Sequence, residues 1–287
     1  MGQKPVLLSA AKSRKAGSEV EGTKRSGVIY FLSVPNQMYW VKLIMAMNGE
    51  TWFLGVDGCK GGWICVGQQK SGNWQAHQLS HLDQLLEIWG ENIFCLIDMP
   101  IGLPTHRSRE CDGLARRLLQ ARRSSVFPIP SRASLMAPSY EEACRINSKL
   151  MGKKLSKQSW NIGPKIMELD HWLAKHDPYQ GKVREAHPEL AFYGLAGKPL
   201  AWNKKQSEGK VARLDLLGQR WEESEQIYHQ IRDDYLRKDM ADDDIIDAMA
   251  LCLTAMSAPR LNVLPSSPEL DERGLRMEIV FGDWTTF

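Results

Sequence analysis

The first 46 residues carry apolar side chains with no sustained period, and beyond them short runs of two distinct kinds begin. Trp52-Phe53-Leu54-Gly55-Val56-Asp57 is apolar until it closes on a carboxylate, and Gly58, Gly61 and Gly62 come next. An apolar run bounded by glycines predicts a buried strand and a tight turn. Trp63-Ile64-Cys65-Val66 predicts a second strand, Lys70-Ser71-Gly72-Asn73 a hairpin turn, and the alternation from Trp74 to Leu79 a third strand. Leu82, Leu85, Leu86 and Trp89 recur at helical spacing, and Ile93-Phe94-Cys95-Leu96-Ile97-Asp98 is another apolar run closed by a carboxylate and stopped by Pro100. The order is three meandering strands, a helix and a central strand.

Helical patterns dominate the middle of the chain. Arg109 to Arg122 predicts a helix, and Pro128, Pro130 and Pro138 then mark a loop that a helix cannot tolerate. Ser139-Tyr140-Glu141-Glu142 has the form of a capping box, and Pro164 suits the first turn of a helix over 165–175. Val183 to His187 reads as a short strand. Asp242 reads as the cap of a final helix carrying Ile245, Ala248, Met249, Leu251, Cys252 and Ala255, and Met277 to Phe281 as a last strand. No internal repeat or low-complexity tract interrupts this pattern. It predicts an α/β domain over 47–287 with a mostly helical insertion at about 105–180.

Composition narrows the class. With 287 residues, 43% apolar and 25% charged, the chain is unlike disordered, collagen-like or disulfide-scaffold proteins. None of its six cysteines forms a C-x-x-C pair or stands at zinc spacing with a histidine, which points to buried, reduced thiols and a cytoplasmic chain. Cys59, close to Asp57, reads as a turn cysteine packed under the glycines. No apolar run nears the roughly 18 residues of a membrane span. The net charge of +3 owes everything to residues 1–46, where seven Lys/Arg meet two Glu; the remainder has 30 against 32, a net of −2. That segment reads as a disordered basic tail, a transit peptide or sequence upstream of the true start. Met45 and Met47, just before the first strand, favour the last; the segment has no secretory cleavage pattern. Within the domain the charges are segregated. Residues 105–165 hold thirteen Lys/Arg against four Asp/Glu (+9), and residues 215–250 hold four against eleven (−7). A basic insertion opposite an acidic site suits a phosphodiester substrate, although solvated helix faces show the same segregation. Trp160, Trp172 and Trp202 suit base stacking, but core packing is the expected role of at least two of them.

The chemistry-bearing pattern is a set of aspartates. Parallel strands end on one sheet edge, where ligands bind, so Asp57 and Asp98 are expected to meet there. Adjacent carboxylates repel unless a proton or cation intervenes, and Mg²⁺ favours such hard oxygen ligands. Asp242-Asp243-Asp244-Ile245-Ile246-Asp247 opens the last helix, where Asp244 and Asp247 share a face. A strand-end aspartate is commonly a turn residue, and acidic residues at a helix start favour its dipole. Neither explains Asp247, which lies among apolar residues and is costly to bury unpaired.

This strand order with carboxylates at these places resembles the ribonuclease H fold, and Asp244-x-x-Asp247-Ala248 is similar to the terminal-helix motif of Holliday-junction resolvases. Gly55-Val56-Asp57-Gly58-Cys59-Lys60-Gly61-Gly62-Trp63, Ile97-Asp98-Met99-Pro100-Ile101-Gly102-Leu103-Pro104, Glu185-Ala186-His187-Pro188-Glu189 and Asp243-Asp244-Ile245-Ile246-Asp247-Ala248 together resemble the family called domain of unknown function 429, described as predicted ribonuclease H-like nucleases. Arg109-x-Cys111-Asp112, Ser124-Ser125-Val126-Phe127-Pro128, Ser156-Lys157-Gln158 and Asn203-Lys204-Lys205 look like that family too. The likeness covers roughly 52–281. It implies a ribonuclease H-like mixed sheet with flanking helices and a helical insertion. It further implies Asp57, Asp98 and Asp247 as ligands of Mg²⁺ or Mn²⁺, with Asp244 or Glu185 completing a catalytic site for a two-metal mechanism on nucleic acid. Lys60, Arg109, Lys157, His187, Lys204 and Lys205 are then the substrate-facing residues. The fourth-strand carboxylate departs from the commoner Glu of ribonuclease H enzymes. Two other readings stand beside this one. An ATPase or sugar-kinase-like phosphotransferase of related fold could use the Asp57–Gly62 turn, though no second glycine-rich phosphate turn exists; the other is a nucleic-acid-binding protein without turnover.

Overall fold

Alternation along the first strand sets the architecture. In the computed structural model, which describes residues 50–284, β1 (Trp52–Cys59), β2 (Gly62–Gln68) and β3 (Trp74–Leu79) form an antiparallel meander. The segment 1–46, expected to stand apart, lies outside the described residues. Helix α1 (Gln84–Trp89) returns the chain to β4 (Ile93–Ile97), which pairs parallel with β1, and β5 (Val183–Glu185) pairs parallel with β4. The result is a mixed five-stranded sheet in the order β3-β2-β1-β4-β5.

Between β4 and β5 stand α2 (Glu110–Leu119), α3 (Arg132–Leu135), α4 (Tyr140–Met151), α5 (Lys157–Asn161) and α6 (Gly163–Lys175). After β5 come α7 (Pro188–Ala196), α8 (Ser207–Gly218), α9 (Ser224–Asp234) and α10 (Asp242–Met256), then the antiparallel pair β6 (Leu261–Leu264) and β7 (Ile279–Gly282). Apolar side chains are buried on both faces of the sheet. Phe53, Phe94 and Leu96 pack with Ile245, Ala248 and Leu251 of α10. Leu54, Val56, Cys95 and Ile97 pack with Leu169, Trp172 and Leu173 of α6.

Helix α10 is buried from Ile245 through Ala255, so it is apolar on every side, as a helix sunk between layers must be. Its backbone lies directly on β1 at Gly55. A Cβ there would fall 2.0 Å from the Ala248 carbonyl oxygen and 2.2 Å from the Cys252 nitrogen. The Cys252 thiol also donates to the Phe53 carbonyl at 3.2 Å. Only glycine permits this approach.

Several sequence expectations need correction. The helix expected over 109–122 ends at Leu119 and tightens into a 3₁₀ turn over Gln120–Ser125. The proline-rich loop contains α3, because the stretch between Pro130 and Pro138 has room for one turn and Ser131 caps it, its hydroxyl accepting the Ser134 amide. Ser139 does cap α4 by accepting the Glu142 amide at 3.2 Å, but Glu142 turns to Arg145 rather than closing a capping box. Asp242 is not the cap of α10. Ala241 holds that position, and Asp242 instead binds Lys210 and Arg237, each at 2.9 Å. All six cysteines are buried and free, and burial pushes the Cys59 thiol pKa upward. Among the described residues, no helix is long and apolar enough to cross a membrane.

Gly55→Ala tests the close approach. Relieving the overlap means moving α10 off the sheet, so we expect a loss of about 3 kcal/mol or more in urea unfolding. A change within about 0.5 kcal/mol, the size of an ordinary surface substitution, would show that the helix does not need this contact.

Candidate functional site

Register brings the carboxylates together. Val56 is paired with Ile97 and Ile97 with Glu185, so β1, β4 and β5 end at one edge. The ladder runs one step further: the Asp98 amide donates to the Val56 carbonyl at 2.9 Å, and the Ala186 amide to the Ile97 carbonyl at 3.0 Å. The two-residue period of a strand decides the faces. Phe53, Gly55 and Asp57 lie on the α10 side, as do Phe94, Leu96 and Asp98. Because α10 crosses β1 at Gly55, Asp247 stands one helical turn before Leu251 and reaches the same edge. Asp57, Asp98 and Asp247 line one cavity of about 500 Å³.

These three carboxyls are electrostatically strained. Burial pushes Asp57 well above the usual carboxylate range, and Asp98 and Asp247 push it further. Its Oδ1 accepts the Gly58 amide at 2.7 Å. Burial also raises Asp98, with His187 and Lys204 pulling the other way. Asp247, 1% exposed, is pushed up to about 6 by burial, against the pull of Lys204. The Lys204 ammonium lies 2.6 Å from Asp247 Oδ2 and 3.3 Å from Asp243 Oδ2. Burial works against that ammonium, but Asp247 and Asp57 outweigh it and raise its pKa above the ordinary lysine value. The donor chemistry, carboxylate oxygens alone, is of the kind that suits Mg²⁺ or Mn²⁺. Among the described residues, however, no group of three or more His, Cys, Asp or Glu is placed to hold a metal ion. Lys204 supplies positive charge beside Asp247 and Asp243.

The other expected site residues are distributed differently. Glu185 lines the cavity but does not join the aspartates, because it is paired in register with Ile97 and so sits on the opposite face. Arg109 binds it at 2.6 and 2.8 Å, and the Ile101 amide donates to it at 2.7 Å. Burial pushes Glu185 up to about 7, and Arg109 draws it back. Arg109 also lines the cavity, but as a buried strut: it is 3% exposed and also holds Asp112 at 2.5 Å. Asp244 acts on Asp57 through its charge. It does not line the cavity, and its Oδ2 accepts the Ala241 amide at 2.8 Å to cap α10. Lys60 and Lys157 are exposed outside the cavity, Lys157 over the Tyr140 ring. His187, Lys204 and Lys205 do line it. His187 Nδ1 accepts the Glu189 amide at 3.1 Å, which leaves Nε2 to carry the hydrogen and donate to the Ser125 carbonyl at 3.3 Å.

Comparison with known proteins gives a family. Residues 55–270 match the family described as Protein of unknown function (DUF429). The chain belongs to that family. No curated protein and no solved structure matches it.

In this DUF429 chain the cavity contains residues that reasoning from carboxylates alone overlooks: Arg122, Phe127, Gln158, Lys165 and Glu189. Phe127, Gln158 and Glu189 fall in stretches that carry the family resemblance, and that was the available signal. Glu189 Oε1 accepts from Arg213 at 2.7 Å and Arg122 at 3.0 Å. Its Oε2 and the Arg122 Nε are buried without a hydrogen-bond partner among the described residues. Lys165 lies over the Trp63 ring and donates to the Gly62 carbonyl; burial lowers its pKa. Of the tryptophans considered for base stacking, Trp172 is buried against His176, Trp160 leans on Tyr140, and Trp202 is exposed outside the cavity. Some of the segregated charges are used internally. Arg109 and Arg132 of the basic segment sit in buried ion pairs, and Asp242 of the acidic one is held by Lys210, Arg232 and Arg237.

The raised Asp247 gives a pH test. Between the unfolded value near 4 and about 6, the native state holds more protons at this site than the unfolded chain. Its contribution therefore favours folding at low pH and is lost as pH rises through 6. In EDTA, Asp247→Asn should gain about 1–3 kcal/mol relative to the unaltered chain between pH 5 and pH 8, read by urea unfolding. A difference constant across that range would contradict the raised carboxyl.

Proposed function

We propose that this protein is a divalent-metal-dependent phosphodiesterase acting on nucleic acid, built on a ribonuclease H-like sheet. The observation that carries the proposal is the meeting of Asp57, Asp98 and Asp247, from two adjacent parallel strand ends and a distant helix, in one cavity. The order β3-β2-β1-β4-β5, with β2 antiparallel to its neighbours, supports the fold assignment. In this reading Asp57, Asp98 and Asp247 would hold Mg²⁺ or Mn²⁺, with the Lys204 ammonium beside them at 2.6 Å from Asp247. Such an ion would supply Lewis-acid stabilisation of the phosphate's developing charge. The chain's own groups do the rest. Lys204 and Lys205 attract the phosphodiester, Arg122 keeps Glu189 ionised beside it, and His187, held between the Glu189 amide and the Ser125 carbonyl, presents a fixed imidazole to the cavity. The carboxylates' mutual repulsion is what the cation relieves. The phosphotransferase reading gains no support from the glycine turn, since Gly58 alone of Gly58–Gly62 lines the cavity.

The test is purified protein with Mn²⁺ or Mg²⁺ against single-stranded and duplex DNA, RNA, hybrids and junctions. We expect metal-dependent cleavage that falls about 100-fold or more in Asp57→Asn and in Asp247→Asn. Cleavage unchanged in both variants would remove these carboxylates from the reaction. Strand binding with no cleavage of any substrate would identify a non-catalytic nucleic-acid-binding protein.

A further inference from the structure

We propose that the cavity receives the free end of a single-stranded nucleic acid, while the phosphates behind that end run over a neighbouring basic patch. This substrate class rests on the nuclease reading of the same cavity. Burial sets how a phosphate can approach. Asp247 is 1% and Asp57 7% exposed, so a reacting phosphate must enter the cavity rather than lie across it. The insertion contributes the covering wall through Val126, Phe127, Ile129 and Ile162. At about 500 Å³ the space is within the range that encloses one small ligand. The phosphates of a continuous duplex cannot descend into it without unstacking the base pairs. A strand end can, with its base against the apolar wall.

Two orphaned polar atoms point to the same ligand. Glu189 is 6% exposed and lines the cavity, and its Oε2 has no donor among the described residues. An ionised carboxylate oxygen there calls for a hydroxyl or amino donor, which a terminal sugar or base provides. The buried Arg122 Nε, likewise without a partner, calls for an acceptor such as a phosphate oxygen.

A path also leads outward from the cavity. One short 3₁₀ segment, Gln120–Ser125, serves two surfaces: Arg122, Ser124 and Ser125 line the cavity, whereas Gln120, Ala121 and Arg123 line an open depression with Arg116 and Arg117 of α2. Arg117 and Arg123 are exposed and make no ion pair among the described residues. Such a patch attracts a phosphate backbone without reading its sequence.

The test measures binding by fluorescence anisotropy, in EDTA and in Mg²⁺. Its ligands are labelled linear strands of DNA and of RNA, about 12 nucleotides long to cover one binding site, a blunt duplex of the same length and an internally labelled single-stranded DNA circle. We expect the linear strands to bind at least tenfold tighter than the duplex or the circle. Arg117→Glu combined with Arg123→Glu should weaken the linear strand at least tenfold and reduce its salt slope by about 1.4, as loss of two phosphate contacts requires. Thermal unfolding verifies that the double variant is folded. Equal binding of circle and linear strand, or an unchanged slope in the double variant, would overturn the proposal. Mn²⁺-dependent hydrolysis of bis-p-nitrophenyl phosphate is followed separately. Absence of that hydrolysis, together with no cleavage of a linear strand, counts against the nuclease reading, while end-selective binding still upholds the strand-end site.

Discussion

The close approach of α10 to β1 at Gly55 is the constraint on which the rest of this structure depends. A helix and a sheet normally stand apart by the depth of two side-chain layers. Here one side chain is absent, and the helix backbone rests on the strand with the Ala248 carbonyl and the Cys252 amide where a Cβ would stand. That contact fixes the height and rotation of α10 over the sheet. One turn along the same helix, Asp247 is carried to the edge at which Asp57 and Asp98 end. The candidate site is thus a consequence of how a helix is seated, and the apolar residues from Ile245 to Ala255 provide the burial that keeps it there.

Parity along the strands then selects which acidic groups meet. Asp57 and Asp98 share a face because each stands two residues beyond a position that faces α10. Glu185, on the third parallel strand, has the opposite parity and is neutralised by Arg109 from the insertion. The same cavity therefore has two acidic regions with different partners. One is held by a fixed, fully buried arginine. The other is balanced by Lys204, which comes from a loop and remains partly exposed. A cation supplied by a loop is easier to displace than one locked among buried carboxylates, because water can replace its hydrogen bonds as it leaves. This difference favours the aspartate side for the proposed metal site.

Buried arginines also brace the insertion, against itself and against the elements around the cavity. Arg109 joins α2 to β5, Arg122 and Arg213 converge on Glu189 of α7, and Arg132 joins α3 to Asp170 of α6. These pairs hold the cover over the carboxylates at a defined height. They also account for Arg109, Arg122 and Arg132 of the basic charge that composition alone assigned to a substrate surface. The cations left for such a surface are those without an internal partner, notably Arg117 and Arg123.

Much of the local structure was determined by the sequence itself. The bounds of β3 come from alternation, β4 differs from its apolar run by one residue, and Ser139 caps its helix as its position before Glu142 requires. Asp57 and Asp98 were recognisable because each closes an apolar strand run, and Asp247 because it lies among apolar residues, where an unpaired charge is expensive. The tertiary structure decided the remainder. Whether Asp244 or Glu185 joins them depends on capping geometry and strand parity, and α3 exists because a capped single turn fits between prolines. Arg109 has the sequence of a surface cation and the burial of a core residue. Local pattern reports which side chains seek water or avoid it; which charges face one another is set by register and by the one glycine that lets α10 reach the sheet.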